Sequence, residues 1–275
     1  MAKYPGQCPA NYDMDIYTGC PSGCLYCVEA ASHKSPGTPA DTALNLIHRM
    51  ADENTGQHPV YLSPKTEAYQ PMEQEAGITR QVLAHLAAAG KPFFVITKEP
   101  LVWRDREFFT GRENAFIAVS MNTLDDALAA RLEPGAAAPS ARRDLVTQLC
   151  TSGNVRVVVK IDPVISGISD GARLETLLAW LETVRPFAVT AETLRMNLTM
   201  FQRISEGLGQ NEAETLASHY PGLTEDIVHP AAEYRLSLFR GIARRLAAQG
   251  IRSAFCRASL PESITEYDCR GGFGP

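Results

Sequence analysis

The chain of 275 residues is 45% hydrophobic and 21% charged, which provides enough apolar material for one large core or two modest ones. Its net charge of −5 argues against a general nucleic-acid binder, because binding a phosphate backbone calls for an excess of positive charge. No apolar run approaches the ~20 residues that span a bilayer, and residues 1–7 lack a signal-peptide pattern, so we expect a cytoplasmic protein with no membrane partner.

Strand-like stretches alternate with amphipathic helical stretches along the chain. Short apolar runs predict strands at 15–17, 59–63, 92–97, 115–120, 155–161, 187–194 and 251–255. Apolar residues at helical spacing predict helices at about 41–54, 79–89, 105–109, 124–131, 140–149, 170–184, 199–207, 212–219 and 231–248. This alternation is typical of an α/β fold built from parallel β–α–β units.

Six such units predict an open, partial (β/α)6 barrel of the TIM type with a C-terminal extension of helices and a strand. We expect residues 1–197 to form the barrel with its cysteine loop, and residues 198–275 to close the substrate side within the same structural unit. In such folds the chemistry lies at the carboxyl ends of the strands. Polar residues cluster at these predicted ends, at 63–67, 97–98, 120–122 and 162–170.

Three of the seven cysteines lie in one short loop after the first predicted strand. Cys20, Cys24 and Cys27 have C-x3-C-x2-C spacing, and two glycines in the loop permit a tight backbone. Three thiolates can bind three irons of a 4Fe–4S cluster and leave the fourth iron open to a chelating ligand, such as S-adenosylmethionine (SAM). The alternatives are a zinc site, for which His33 is the available fourth ligand, and three unconnected buried cysteines.

Seven further short motifs follow in order: SPKTEAYQPME at 63–73, TR at 79–80, ITK at 96–98, RD at 104–105, SMN at 120–122, LEP through an arginine at 132–142, and DPVISGISD at 162–170. With the cysteine loop, this series resembles the spore photoproduct lyase-like branch of the radical SAM superfamily, over about residues 15–195. The resemblance implies a 4Fe–4S cluster that cleaves SAM to a 5′-deoxyadenosyl radical.

The resemblance also implies roles for single side chains. Thr66, Lys98 and Ser120 would contact SAM, and Tyr26 would lie beside the cluster and cofactor as part of the catalytic machinery. A hydroxyl can bond to the SAM amino or carboxylate group and a lysine offers a cation to the carboxylate, whereas the alternative for Lys98 is a solvated surface lysine. Asn122 can reach the ribose or the adenine.

Two departures from the family pattern argue against DNA photoproduct repair. Residues 62–65 contain no thiol where the lyase has its hydrogen-donor cysteine, and Val28 replaces the tyrosine that follows its cluster loop. Within the 132–142 motif, Glu133 and Arg142 are either a structural ion pair or part of a ligand site.

Cys256 and Cys269 follow the last predicted strand and are candidate catalytic hydrogen donors to a substrate radical. The alternative for each is a buried structural thiol. A second cluster built from Cys8, Cys256, Cys269 and Cys150 would have no close spacing to support it, and we expect Cys150 to lie in the core.

These features favour a radical SAM enzyme that abstracts hydrogen from a small, nucleoside-type substrate, as an epimerase or rearrangement enzyme with a cysteine donor. A reducing partner such as flavodoxin or ferredoxin would supply the electron. The alternatives are a spore photoproduct lyase-like repair enzyme for nucleic-acid lesions, which the departures disfavour, and a non-catalytic iron–sulfur or zinc regulatory protein.

Overall fold

The computed structural model describes residues 12–28 and 59–256, together with residues 38, 43 and 260. The helix predicted at 41–54 falls outside these residues apart from residue 43, and so do Cys8 and Cys269. None of the described helices is long and apolar enough to cross a membrane.

The described strands form one parallel sheet, and they follow one another in the sheet in the same order as in the chain. They are β1 Tyr12–Met14, β2 Val60–Leu62, β3 Phe93–Thr97, β4 Ala115–Ser120, β5 Arg156–Val164, β6 Ala188–Thr193 and β7 Arg252–Phe255. Connections of one hand between consecutive parallel strands place helices on one face, and the twisted sheet curls into a barrel. Within the described residues no pairing joins β7 to β1, and the open, partial barrel predicted from the sequence is confirmed.

Some of the described helices cover the outer face of this sheet, and others pack beside the cysteine loop. The described helices are α1 Glu73–Ala76, α2 Ile78–Ala88, a 3-10 helix Pro100–Phe108, α3 Asp126–Leu132, α4 Pro139–Thr151, α5 Gly171–Val184, α6 Leu198–Gly207, α7 Gln210–Ser218 and α8 Ala232–Ala248. Alternate strand residues such as Val95, Ile117 and Val159 form the main core with Leu83 and Leu177 of these helices.

The inner face of the sheet is aromatic at the amino ends of the strands. Tyr61, Phe94, Phe116 and Phe187 form a row here called the aromatic floor, with ring centroids 4.7 to 6.0 Å apart. Arg156 lies over the Phe116 and Phe187 rings. The barrel interior is therefore filled at this end, and its polar residues lie at the opposite, carboxyl end.

Two strands, β1 and β5, differ from their predicted positions, and β7 differs from its predicted place in the fold. β1 ends before Asp15, because the Asp15 carboxylate accepts hydrogen bonds from the backbone of residues 65 and 66. β5 continues past Pro163, and its pairing with β6 shifts register between Ile161 and Val164. β7 pairs in parallel with β6, so the strand of the predicted extension continues the barrel sheet beyond six units.

Candidate active site

A cavity of about 250 Å³ opens at the carboxyl ends of the strands. Most of the predicted site residues line it: Cys20, Cys24, Tyr26, Cys27, Thr66, Lys98 and Ser120. Asn122 and Cys256 are described but are not among its lining residues. Residues separated by up to about a hundred positions in the chain are thus brought to one place by the parallel strand order.

The segment between α3 and α4 holds the cysteine loop through its backbone. Leu25 N donates to Leu132 O at 2.8 Å, and Gly135 N donates to Ser22 O at 2.9 Å. A Cβ on Gly135 would lie 2.3 Å from Pro21 O, so only glycine permits this approach. The close contact explains why glycine follows the LEP motif.

Gly135→Ala should therefore displace the cysteine loop, and we expect iron content after reconstitution to fall at least twofold, with a loss of about 1–3 kcal/mol in stability. Gly241→Ala is the matched control, because a Cβ at Gly241 in α8 meets nothing within 4 Å. Removing a helix glycine should raise stability by about 0.5–1 kcal/mol. Equal iron content in both variants, measured with urea unfolding alongside, would contradict this role of Gly135.

Side chains from α6 and the 63–73 motif complete the support of the loop. Arg203 donates from Nε to Leu25 O and from Nη2 to Cys27 O, each at 2.6 Å. Gln70 Nε2 donates to Gly19 O at 3.1 Å. The loop backbone is thus fixed by several elements before any metal binds.

The three thiols have different surroundings within the cavity. Cys24 is buried, and burial raises the pKa of its thiol to about 12, while Lys98 acts in the opposite direction. Among the described residues, no three His, Cys, Asp or Glu side chains stand close enough to share a single metal ion. A 4Fe–4S cluster requires another arrangement, because each thiolate binds a different iron. Three thiols around one cavity provide the donor set for such a cluster.

Lys98 is a half-buried cation beside the cysteines. Its ammonium nitrogen lies 6.0 Å from the centroid of the Tyr26 ring. Burial lowers the pKa of Lys98, but the charges of Cys24 and Glu133 outweigh burial and raise it above its usual value. Lys98 therefore stays protonated and can bind an anionic group in the cavity.

Two carboxylates, the buried Glu67 and the half-buried Asp15, position the predicted SAM contacts. Glu67 accepts hydrogen bonds from Lys98 N at 2.9 Å and from the Thr97 hydroxyl. Asp15 Oδ1 accepts a hydrogen bond from the Thr66 hydroxyl at 3.0 Å, so this hydroxyl already has a partner. Asp15 directly follows β1 and was missed, whereas Glu67 belongs to the 63–67 cluster that the sequence analysis placed at the carboxyl edge of the sheet.

Asn122 is 2% exposed, and neither polar atom of its amide has a partner among the described residues. A buried amide without hydrogen bonds costs free energy, so such a group calls for a ligand or a water. Ser120, two residues earlier, is buried and lines the cavity.

Glu133 and Arg142 form a buried ion pair, which is the first of the two alternatives that the sequence left open for them. The carboxylate also accepts the hydroxyl of Tyr26. Burial raises the pKa of Glu133, but Lys98 and Arg142 outweigh burial and lower it, so the carboxylate is ionised. The Tyr26 hydroxyl is thus already engaged as a donor.

Four charged side chains, here called the charged wall, line the cavity at β5 and β6: Lys160, Asp162, Glu192 and Arg195. Lys160 pairs with Asp162, and Arg195 Nε lies 2.9 Å from Glu192 Oε1. Cys256 follows β7 on the same inner face and interacts electrostatically with Lys160. The sequence analysis did not identify Lys160, although its inward position in β5 follows from strand alternation.

Comparisons with known proteins give distant sequence relatives. No family model matches the chain. An uncharacterized protein of Mycobacterium tuberculosis is 28% identical over 204 residues, which cover 68% of this chain and 60% of that protein. An uncharacterized protein of Methanocaldococcus jannaschii is 25% identical over 173 residues, covering 61% of this chain and 64% of that one. The chain thus matches about three fifths of the length of these relatives.

Solved structures give closer matches in fold. Spore photoproduct lyase with a dinucleoside spore photoproduct has a TM-score of 0.69 at 13% identity, covering 92% of this chain and 79% of that chain. SuiB from Streptococcus suis bound to S-adenosylmethionine has a TM-score of 0.62 at 12% identity, covering 90% of this chain and 50% of that one. The resemblance predicted from the motifs is therefore confirmed for the fold: the chain has the partial barrel of spore photoproduct lyase and SuiB.

Proposed function

We propose that this protein is a radical SAM enzyme. The observation that carries the proposal is that three thiols with C-x3-C-x2-C spacing share one cavity with a protonated lysine at the carboxyl ends of parallel strands. The fold neighbours support the class, since one was solved with S-adenosylmethionine and another with AdoMet and a dinucleoside.

The chain's own residues fit both groups. Cys20, Cys24 and Cys27 would hold the cluster, whose chemistry when bound is one-electron cleavage of the SAM sulfonium. Lys98 would bind the SAM carboxylate and Ser120 would hydrogen-bond to its polar groups. Asn122, with its unpartnered amide, is proposed for the ribose or adenine. Thr66 would act with its hydroxyl oxygen as an acceptor, because its proton is directed to Asp15.

The charged wall supports a small polar substrate. Its two cations and two anions cancel, so an uncharged molecule with several hydrogen-bonding groups, such as a nucleoside, suits it better than a phosphate chain. A wall without net positive charge gives a polyanionic nucleic acid no electrostatic attraction at this position. This balance favours a nucleoside over a lesion in DNA.

We further propose that Cys256 returns hydrogen to the substrate. In this step the thiol S–H bond breaks, a C–H bond forms on the substrate radical, and a sulfur radical remains on Cys256. An electron from a flavodoxin- or ferredoxin-type reductant and a proton then restore the thiol. Such a return would complete a redox-neutral reaction such as epimerisation, and Cys269, the other candidate, lies outside the described residues.

The test of this function is SAM cleavage by the reconstituted protein under anaerobic conditions. With dithionite as reductant, we expect methionine and 5′-deoxyadenosine in equal amounts, measured by chromatography. Iron and sulfide analysis should give about four of each per chain. Intact SAM in the presence of a complete, reducible cluster would refute the proposal, and one zinc per chain without sulfide would favour a regulatory metal site.

A further inference from the structure

A buried hydrogen-bond network connects the cysteine loop with the strand ends opposite it. Tyr26 donates its hydroxyl to one oxygen of Glu133, and Arg142 pairs with the other oxygen. The Glu133 and Arg142 side chains are each 1% exposed. Tyr26 lies between two cluster cysteines in the sequence and 107 positions from Glu133, so the contact joins distant parts of the chain.

Arg142 extends this network to the wall of the cavity. Its Nη1 donates to Ser120 O at 3.1 Å, at the end of β4, and its Nε donates to Ala137 O at 2.7 Å. Ala137 N in turn donates to Glu99 Oε1 at 3.0 Å, next to Lys98 at the end of β3. The network therefore touches the loop, the Ser120 strand end and the Lys98 strand end.

The network also determines where negative charge lies near Lys98. The ammonium group of Lys98 interacts electrostatically with Glu133 and packs over the Tyr26 ring. Arg142 and the Tyr26 hydroxyl occupy both oxygens of Glu133, which leaves the lysine available to another anion. Without either partner, the carboxylate would attract Lys98 more strongly, because charges interact strongly in a buried setting.

We propose that Glu133, clamped between Tyr26 and Arg142, is a positioning residue that fixes the cysteine loop and Lys98 relative to each other, so that a chelating amino acid such as SAM reaches both at once. The inference rests on the proposed radical SAM function. One molecule can chelate a metal and pair with a lysine at once only if the distance between the two sites is fixed. A displacement of a binding group by about 1 Å can reduce rates ~100-fold.

The chain contains a matched control for this network. Tyr17 donates its hydroxyl to Glu73, and Arg104 Nη2 lies 2.7 Å from Glu73 Oε1. This second set of tyrosine, glutamate and arginine is buried at Glu73 but does not line the cavity. Removing its tyrosine hydroxyl therefore removes the same kind of bond without touching the proposed SAM contacts.

The experiment compares Tyr26→Phe with Tyr17→Phe in the reconstituted full chain. Both variants should lose similar stability in urea, because each loses one hydrogen bond to a buried carboxylate, and both should keep the iron content of the parent. For Tyr26→Phe alone we expect SAM binding about tenfold weaker by equilibrium dialysis, from the loss of a hydrogen bond to a charged group. We also expect a smaller SAM-induced change in the paramagnetic spectrum of the reduced cluster.

Glu133→Gln provides a second variant that keeps the side-chain shape. It should weaken SAM binding without removing the cluster, because an amide has one acceptor oxygen and cannot hold both the Tyr26 hydroxyl and Arg142 as the two carboxylate oxygens do. If Tyr26→Phe and Glu133→Gln both bind SAM within twofold of the parent, the network is only structural and the inference is wrong. If the parent itself forms its cluster but binds no SAM, the proposed function fails and this inference fails with it.

Discussion

Replacing Cys24 by alanine should abolish SAM cleavage and prevent formation of a complete cluster. Cys24 is the most buried of the three loop cysteines, at 8% exposure, and it interacts electrostatically with Lys98. Loss of an outer-shell partner of a metal site already costs about 10–100-fold, so loss of a direct ligand should reduce the cleavage rate by more than ~100-fold. Product chromatography and iron analysis measure both effects.

Cys150→Ala is the control for this prediction. Cys150 lies in α4 and packs against the main core on the outer side of the sheet, away from the cavity. The variant should keep its cluster and its cleavage rate, and should lose only about 1 kcal/mol of stability from a small cavity. Full SAM cleavage by Cys24→Ala, or its loss in Cys150→Ala as well, would contradict the assignment of the cluster to the loop.

Replacing Glu73 by alanine should produce a large loss of stability, about 3–5 kcal/mol. Glu73 is 0% exposed and accepts hydrogen bonds from Tyr17, from Thr79 N at 2.9 Å and from Arg104 at 2.7 Å. Alanine would leave these buried donors without an acceptor, and each one adds a desolvation cost. Urea unfolding followed by circular dichroism measures the change.

Glu75→Ala in the same short helix is the control, because Glu75 is exposed. Its effect should stay within about 0.5 kcal/mol. Comparable stability of the two variants would show that the buried hydrogen bonds of Glu73 contribute little. The large effect, in contrast, would explain the glutamate that ends the 63–73 motif as a structural residue rather than a SAM ligand.

Much of the fold follows from the sequence, because its elements have strong periodicity. The runs Phe93–Thr97 and Ala115–Ser120 are apolar up to their last residue and were predicted at or within one residue of their bounds. Helix α5 was predicted from the stripe that ends at Leu181, which is fully buried. α1 was not predicted, since four residues carry too little periodicity to indicate a helix.

The candidate site could be predicted only in part. The sequence indicates Cys20, Cys24, Cys27 and Lys98 through motif spacing, and the structure places all four around one cavity. It could not pair Tyr26 with Glu133, because no local pattern connects residues 107 positions apart. Of the charged wall, Lys160 was missed for a related reason: it lies in a different strand from Glu192, and their proximity depends on the register between those strands.

The aromatic floor has a consequence for the movement of molecules. Since these rings fill the barrel at one end, a molecule that enters the cavity and one that leaves it share a single mouth within the part of the chain the structure describes. In a cavity with one opening, the molecule that binds last lies nearest the opening. The molecule bound deeper in the cavity can then dissociate only after the outer one has left, which fixes the order of release during turnover.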